Sequence, residues 1–405
     1  MKVKQVFTIA ETDARSKRLF RENGCAFLNL MKRRIDMSQY SSFNLPLCLV
    51  VEEGVFNHVD ETVYKYVPEI KGQKAILVSE NFLMNLYPDI VSEIQKDFGG
   101  AEVYEVVQGD YEQAVALAKY ISMANVKVVI GFGGGRVLDV AKYAAFVSKT
   151  AYICLPTTLS NDSLASPFSV LGMEGKSRKT LGSKIPTAIL IDTDMIMKAP
   201  KGQTLSGIGD TISKHTALFD WKLSAEKEGK PLDDFAYAIA RMSYDTVYHS
   251  DNKDLTNKTF IRILSRSLVM GGLAMEIAGS SRPSSGSEHL FCHAIEEFYP
   301  EIKISHGLAV ALGSVGACIF QGRDETQLVE VCRAYGIDLD PAAYGITKDI
   351  FADAWIKAGS TRPDRITILN STNLNRQWLD MIYDRMADKS DAVYRLGLQK
   401  NGGLG

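Results

Sequence analysis

The sequence predicts an α/β fold that gives way near residue 200 to an all-α carboxy-terminal region. Three observations carry this. From residue 45 short apolar runs alternate with helix-like stretches, the pattern of parallel βαβ units. One strand-to-helix turn is unusually rich in glycine, "GFGGG" at 131–135. After "DMIMKAPKGQTLSGIGD" helical periodicity dominates and few strand candidates remain.

Taken in order, "PLCLVVE" (46–52), "KAILVSE" (74–80), "AEVYEVV" (101–107), "VKVVIGFGGG" (126–135) and "AYICLPTT" (151–158) read as buried strands. "NFLMNLYPDIVSEIQKDF" and "YEQAVALAKYISMAN" read as the helices between them. The polar, glycine-marked "SVLGMEGKSRKTLGSKIPTAILID" reads as a β-hairpin returning to a strand that ends at Asp192. The clearest later helices are "DTISKHTALFDWKLSAEKEG", "NKTFIRILSRSLVMGGLAMEIAG" and "HGLAVALGSVGACIFQG". The chain thus divides into an amino-terminal extension (1–44), an α/β domain (45–200) and a helical domain (201–405). Within the extension, "RSKRLFRENGCAFLNLMKRR" (15–34) reads as a helix packed on the protein's own body, and "NGGLG" should fray at the other end.

With 46% hydrophobic and 23% charged residues and a formal net charge of -2, the 405-residue chain has the composition of a soluble globular protein, not a nucleic-acid binder. No apolar run reaches the length of a membrane span, and "MKVKQVFTIAETDARSK" lacks the apolar centre of a secretory signal. Six cysteines (Cys25, Cys48, Cys154, Cys292, Cys318, Cys332) without CxxC spacing are expected to be reduced and mostly buried, which fits a cytoplasmic location.

Gly131, Gly133, Gly134 and Gly135 lie between a buried strand and a helix, where backbone N–H groups and a helix amino terminus favour a phosphate. The spacing is not GxGxxG, and a tight turn alone accounts for it equally well. Glu80, at the end of "KAILVSE", is placed for an adenosine ribose or is a solvated strand-end acid. Three of the six histidines fall within "SGSEHLFCHAIEEFYPEIKISHG". His289 and His293, four apart, share one helix face, and His306 opens the next helix. Asp210, where a glycine-rich turn becomes a helix, offers a carboxylate for a metal or caps that helix.

Together and in order, "GFGGGRVLDVAKYAA", "LPTTLSNDSLASP", "ILIDTDMI", "GIGDTISKHTALFDW" and "SRPSSGSEHLFCHAIEE" resemble the motifs of sn-glycerol-1-phosphate dehydrogenases, within the iron-containing alcohol dehydrogenase and dehydroquinate synthase superfamily. The resemblance implies a Rossmann-like dinucleotide-binding domain followed by an all-α metal-binding domain. It implies Asp210, His289 and His306 as ligands of a catalytic divalent metal, zinc foremost, with iron or nickel as alternatives. It sets Gly133, Gly134 and Gly135 at the pyrophosphate of NAD or NADP, with Asp139 supporting the loop and Thr157 and Thr158 beside the cofactor. His293 and Asp162 would face the substrate.

The implied reaction is reversible hydride transfer between NAD(P)H and dihydroxyacetone phosphate, giving sn-glycerol 1-phosphate for phospholipid synthesis, in an enzyme expected to be a homo-oligomer. Lys184, Arg282 and Lys214 neighbour the motifs and are candidates for the substrate's phosphate; Lys176, Arg178 and Lys179 read as exposed turn residues. Two departures stand out: "HGL", with Leu308 where the family has an acid, and Ser163 where glycine is common. The alternatives are a dehydroquinate synthase-like sugar-phosphate cyclase, a dehydrogenase of a non-phosphorylated polyol or alcohol, and a non-catalytic binding module. Stoichiometric NADH consumption separates a dehydrogenase from a cyclase.

Overall fold

The computed structural model describes residues 43–173 and 176–388; the stretch 15–34, the Lys176 side chain and the closing "NGGLG" lie outside what it describes. Within the compact unit that begins at Asn44, the strands are β1 (Cys48–Glu52), β2 (Ala75–Ser79), β3 (Glu102–Glu105), β4 (Val128–Gly133), β5 (Ala151–Pro156), β6 (Phe168–Met173), β7 (Lys176–Gly182) and β8 (Ala188–Asp192). Six form a sheet in the order β1-β8-β5-β4-β2-β3, every pair parallel, while β6 and β7 make the antiparallel hairpin. The sequence predicts each of these strands to within a few residues.

The connecting helices are α1 (Val59–Tyr66), α2 (Asn81–Leu86), α3 (Pro88–Asp97), α4 (Tyr111–Met123) and α5 (Gly135–Ser148). The single helix expected from Asn81 onward is two, because Pro88 has no N–H to continue the first and starts the second at its first position. β2, β4 and β8 are buried along their whole length, as strands covered on both faces must be. Ile76, Val129 and Ile189 pack with α4 and α5; Leu77, Ile130 and Leu190 pack on the other face with α1 and α3.

Consecutive strands run outward in opposite directions from the β2–β4 junction, β2 to β3 on one side and β4 to β5 on the other. That junction is a topological switch point, where parallel sheets leave a crevice at their carboxyl ends.

Helices follow: α6 (Thr193–Lys198), α7 (Lys201–Ile212), α8 (Lys214–Glu228), α9 (Asp234–Tyr248), α10 (Lys258–Ala278), α11 (Ser287–Phe298), α12 (His306–Phe320), α13 (Thr326–Ala334), α14 (Lys348–Ala358) and α15 (Arg376–Ala387). Among the described residues no strand follows Asp192. The glycine-rich "SGIGD" is not a turn opening a helix, as the sequence suggests, but the second half of α7.

Its glycines serve contact. A Cβ on Gly207 would lie 2.2 Å from Leu159 O, one on Gly209 2.2 Å from Gly307 O, and one on Gly307 1.8 Å from Ser206 O. α7 and α12 therefore meet backbone to backbone, and the Gly307 N–H donates to Ser206 Oγ at 3.0 Å. Gly313 brings α12 equally close to the backbone of Glu288 on α11.

Gly307→Ala, which would favour an isolated helix, should instead destabilise the protein by about 1–3 kcal/mol by forcing α7 from α12. Thermal or urea unfolding reads this out, and an unchanged midpoint would contradict the contact.

Candidate active site

Three helix segments converge. Asp210 lies in the last turn of α7, His289 in the first turn of α11, and His306 is the first residue of α12. One ligand atom from each lies within 4.8 Å of the other two. His289 Nε2 stands 3.7 Å from Asp210 Oδ1, and the His289 and His306 rings are 5.2 Å apart. His293, one turn along α11, has its ring 6.2 Å from that of His306. As the i, i+4 spacing predicts, His289 and His293 face the same space.

The far nitrogen of each imidazole is held by a carboxylate. His289 Nδ1 pairs with Glu288 Oε1 at 2.8 Å. His306 Nδ1 pairs with Glu296 Oε1 at 3.2 Å and lies 3.3 Å from Cys292 Sγ. Carboxylates at Nδ1 fix the tautomer that leaves Nε2 free to bind a metal. Glu288 is itself fixed by Thr216 Oγ1 at 2.8 Å and the Gly286 N–H at 2.6 Å. The other oxygen of Glu296 reaches His293 Nδ1 at 3.3 Å.

Charge agrees with geometry. Burial pushes the Asp210 carboxyl up, but Lys214, His289 and His306 outweigh it and hold it at about 2. Burial disfavours a charged His289, yet the Asp210 and Glu288 carboxylates raise its affinity for positive charge. A carboxylate and two imidazoles, buried but for the part-exposed His306, are a donor set that a catalytic divalent metal takes, so the residues fit that ion.

The triad faces a pocket of about 240 Å³, which His293 and Asp162 also line. Asp162 donates its backbone N–H to Asp210 Oδ2 at 3.0 Å, and its carboxylate takes Lys214 Nζ at 2.9 Å. Lys214 is therefore wholly buried and committed to Asp162 and the Asp210 carbonyl, which removes it as a phosphate contact. Lys184 is exposed before β8, and Arg282 is held by Ile366 O and Glu228; neither lines the pocket. The cations that do are Arg362 and Arg365, which no motif marks.

The glycine turn lies close by. Gly133, the last residue of β4, is buried, and a Cβ there would sit 2.6 Å from Val137 Cβ, so it serves strand–helix packing and does not face open space. Gly134 and Gly135 differ: Thr158 Oγ1 at 3.5 Å and Ser163 Oγ at 3.9 Å are the nearest atoms a Cβ would meet, and neither residue has positive φ. A Cβ at these two positions would make only ordinary contacts, and a turn bare of side chains over a helix amino terminus is what a pyrophosphate requires.

Thr157 N donates to Gly133 O at 2.9 Å, which sets Thr157 and Thr158 beside the turn. Asp139, buried in α5, pairs with Lys142 at 3.3 Å, and Lys142 Nζ donates to Ser163 O at 2.6 Å. Asp139 is thus linked through Lys142 to the 158–166 loop. Glu80 lies across the switch point, where it accepts Arg136 Nε at 3.2 Å and Arg136 Nη2 at 3.1 Å.

A nucleotide turn over a parallel sheet, beside a two-histidine, one-aspartate donor set on helices, defines a metal-dependent dehydrogenase of the alcohol-oxidising type. Residues 39–200 match the family model for iron-containing alcohol dehydrogenases. Over 302 residues the chain is 34% identical to the glycerol-1-phosphate dehydrogenase of Sulfurisphaera tokodaii, named for NAD(P)+, across 74% of this chain and 85% of that one. Its counterpart in Pyrobaculum arsenaticum is 32% identical over 342 residues, 83% and 95% of the two chains. The chain belongs to the glycerol-1-phosphate dehydrogenase family.

The fold is also that of solved structures far from it in sequence. A probable glycerol dehydrogenase from Sinorhizobium meliloti aligns with TM-score 0.69 at 19% identity over 88% of this chain and 99% of that one. A sulfoacetaldehyde reductase from Bifidobacterium kashiwanohense, in complex with NAD+, aligns with TM-score 0.66 at 16% identity over 87% and 100%.

His289→Ala should abolish both metal retention and turnover, read by metal analysis and NADH oxidation of the same sample; full activity would remove His289 from the ligand set. Glu288→Gln should weaken metal binding by about 10–100-fold while leaving the ligands in place. His293→Ala should keep the metal and lower kcat by about 100-fold or more.

Proposed function

We infer that this chain is a metal-dependent, NAD(P)-dependent oxidoreductase that interconverts dihydroxyacetone phosphate and sn-glycerol 1-phosphate. The observation that carries the reading is the shared wall: Ser163 lines the pocket of the metal triad and is also the neighbour of Gly135 in the nucleotide turn. A nicotinamide entering from that turn meets a substrate held at the triad. The names of the relatives supply the substrate; this chain's residues supply the arrangement.

Asp210, His289 and His306 would hold the divalent metal, for which we propose zinc on the donor set of two imidazoles and one carboxylate. Held there, the ion would supply Lewis acidity to the substrate's carbonyl, and NAD(P)H would supply the hydride. The overall change is one hydride to C2 and one proton to its oxygen.

His293 is the proton carrier in this scheme. Burial lowers its pKa to about 4, against the pull of Glu296, so it is neutral near pH 7. With Nδ1–H donated to Glu296, its Nε2 is left as an acceptor toward the pocket. In the oxidative direction it takes the C2 hydroxyl proton, and Glu296 stabilises the imidazolium; the reductive direction returns it. Asp162 is placed to accept a substrate hydroxyl, and its link to Lys214 keeps that carboxylate fixed.

Residues 45–200 would seat the dinucleotide and the helices from 201 the metal. Glu80 and Arg136 would govern cofactor choice: the carboxylate suits the ribose hydroxyls of NADH, and the guanidinium suits the 2′-phosphate of NADPH. The ion pair that joins them lets either cofactor displace one partner. The described cysteines are free and buried, which fits a reducing compartment and our placement of the enzyme in the cytoplasm. Among the described residues no helix is long and apolar enough to cross a membrane.

The purified chain with dihydroxyacetone phosphate should oxidise NADH and NADPH stoichiometrically, lose activity to a chelator and regain it with zinc. Product formation without net NADH loss would instead indicate a cyclase. Arg136→Ala should raise KM for NADPH about tenfold or more relative to that for NADH, and Glu80→Ala should shift the preference the other way. Identical cofactor ratios in both variants would exclude the pair from this role.

A further inference from the structure

The pocket that the Asp210, His289 and His306 cluster faces is also lined by two guanidiniums from the 359–365 turn, Arg362 and Arg365. Arg365 donates from Nη1 to Ser285 O at 2.7 Å and Ser285 Oγ at 2.8 Å, and from Nη2 to Ser281 Oγ at 2.7 Å. Arg362 Nη2 donates to Thr180 Oγ1 at 2.8 Å. All of these acceptors are neutral. Among the described residues neither guanidinium makes an ion pair, although most other buried or half-buried cations here do. The carboxylates of Glu288 and Asp364 act on Arg365 only at longer range, and burial, with Arg282 and Arg362 nearby, pushes its pKa down to about 10.

Two like charges are held in one pocket by hydroxyls and a carbonyl; Asp364 also lines it, but it is exposed and forms an ion pair with neither guanidinium, so both can take an anion. The hydroxyls of Thr180, Ser281 and Ser285 hold the guanidiniums without neutralising them, so their charge is available to the pocket. We propose that Arg362 and Arg365 seat the phosphate of the substrate and so select a phosphorylated three-carbon substrate over its non-phosphorylated counterpart. This rests on the functional reading above, which it deepens: the metal that the triad would hold acts at C2, and the arginine pair takes the dianion in the same pocket. The substrate is thereby fixed in one direction, with one face of C2 turned to the nicotinamide.

The test compares wild type, Arg362→Ala and Arg365→Lys in the full chain with zinc, using dihydroxyacetone phosphate and dihydroxyacetone as paired substrates. Arg365→Lys keeps the charge at a buried position whose truncation would also strip Ser281 and Ser285 of their partner. The ratio of kcat/KM for the phosphorylated over the plain ketone should fall at least about tenfold in each variant, chiefly through KM. Competitive inhibition by inorganic phosphate should weaken in parallel.

An equal fall for both substrates, or unchanged ratios and unchanged phosphate inhibition at wild-type melting temperature, would overturn the assignment. Failure of the reaction reading is separately visible. If wild type reduces no dihydroxyacetone phosphate, phosphate-induced thermal stabilisation lost on Arg362→Ala still supports the seat, and its absence in wild type refutes it.

Discussion

The Asp210 carboxylate is the contact on which the site depends. One oxygen accepts the backbone N–H of Asp162, and the other faces His289 Nε2. The loop that carries Asp162 and the helix that carries His289 thus meet at a single side chain. Lys214 lies beneath, wholly buried, and joins the Asp162 carboxylate to the Asp210 carbonyl. Charges so deep are poor contributors to net stability, since their desolvation offsets most of their attraction, but loss of any one would leave the others uncompensated, at about 3–5 kcal/mol. Such a network fixes position more than it adds stability.

The same logic extends outward. Glu288 and Glu296 hold the Nδ1 atoms of His289 and His306, and Glu288 is in turn held by Thr216 and the Gly286 N–H. On the nucleotide side Lys142 and the Thr157 N–H tie the 157–166 loop to α5 and to the end of β4. Each ligand or loop therefore has a fixed support behind it, and the pocket between them is shaped before any substrate arrives.

What could be read in the sequence follows from how local the signal is. The strands were legible because full burial demands continuous apolar runs, and the pairing of His289 with His293 was legible because helical spacing alone sets it. The setting of Asp210 is not legible: Gly207 and Gly209 look like a turn when helix propensity is judged alone, and only Leu159 and Gly307, distant in sequence, explain why α7 continues through them. Glu296 was within reach, three residues beyond His293 on the same helix face. Arg362 and Arg365 were not, because their partners Thr180, Ser281 and Ser285 lie far away in the chain, and no spacing rule connects residues brought together by a loop.

The close approach of α7 to α12 also bears on the order in which the molecule assembles. A helix with two internal glycines has little tendency to form alone. Its stabilising contact is with a segment 101 residues further along the chain, and such distant pairings form late because the intervening loop must first be closed. α7 should therefore become ordered only when α12 docks, in the same event that brings Asp210 to His306. During synthesis Asp210 and His306 cannot be brought together until α12, which ends at Phe320, has emerged.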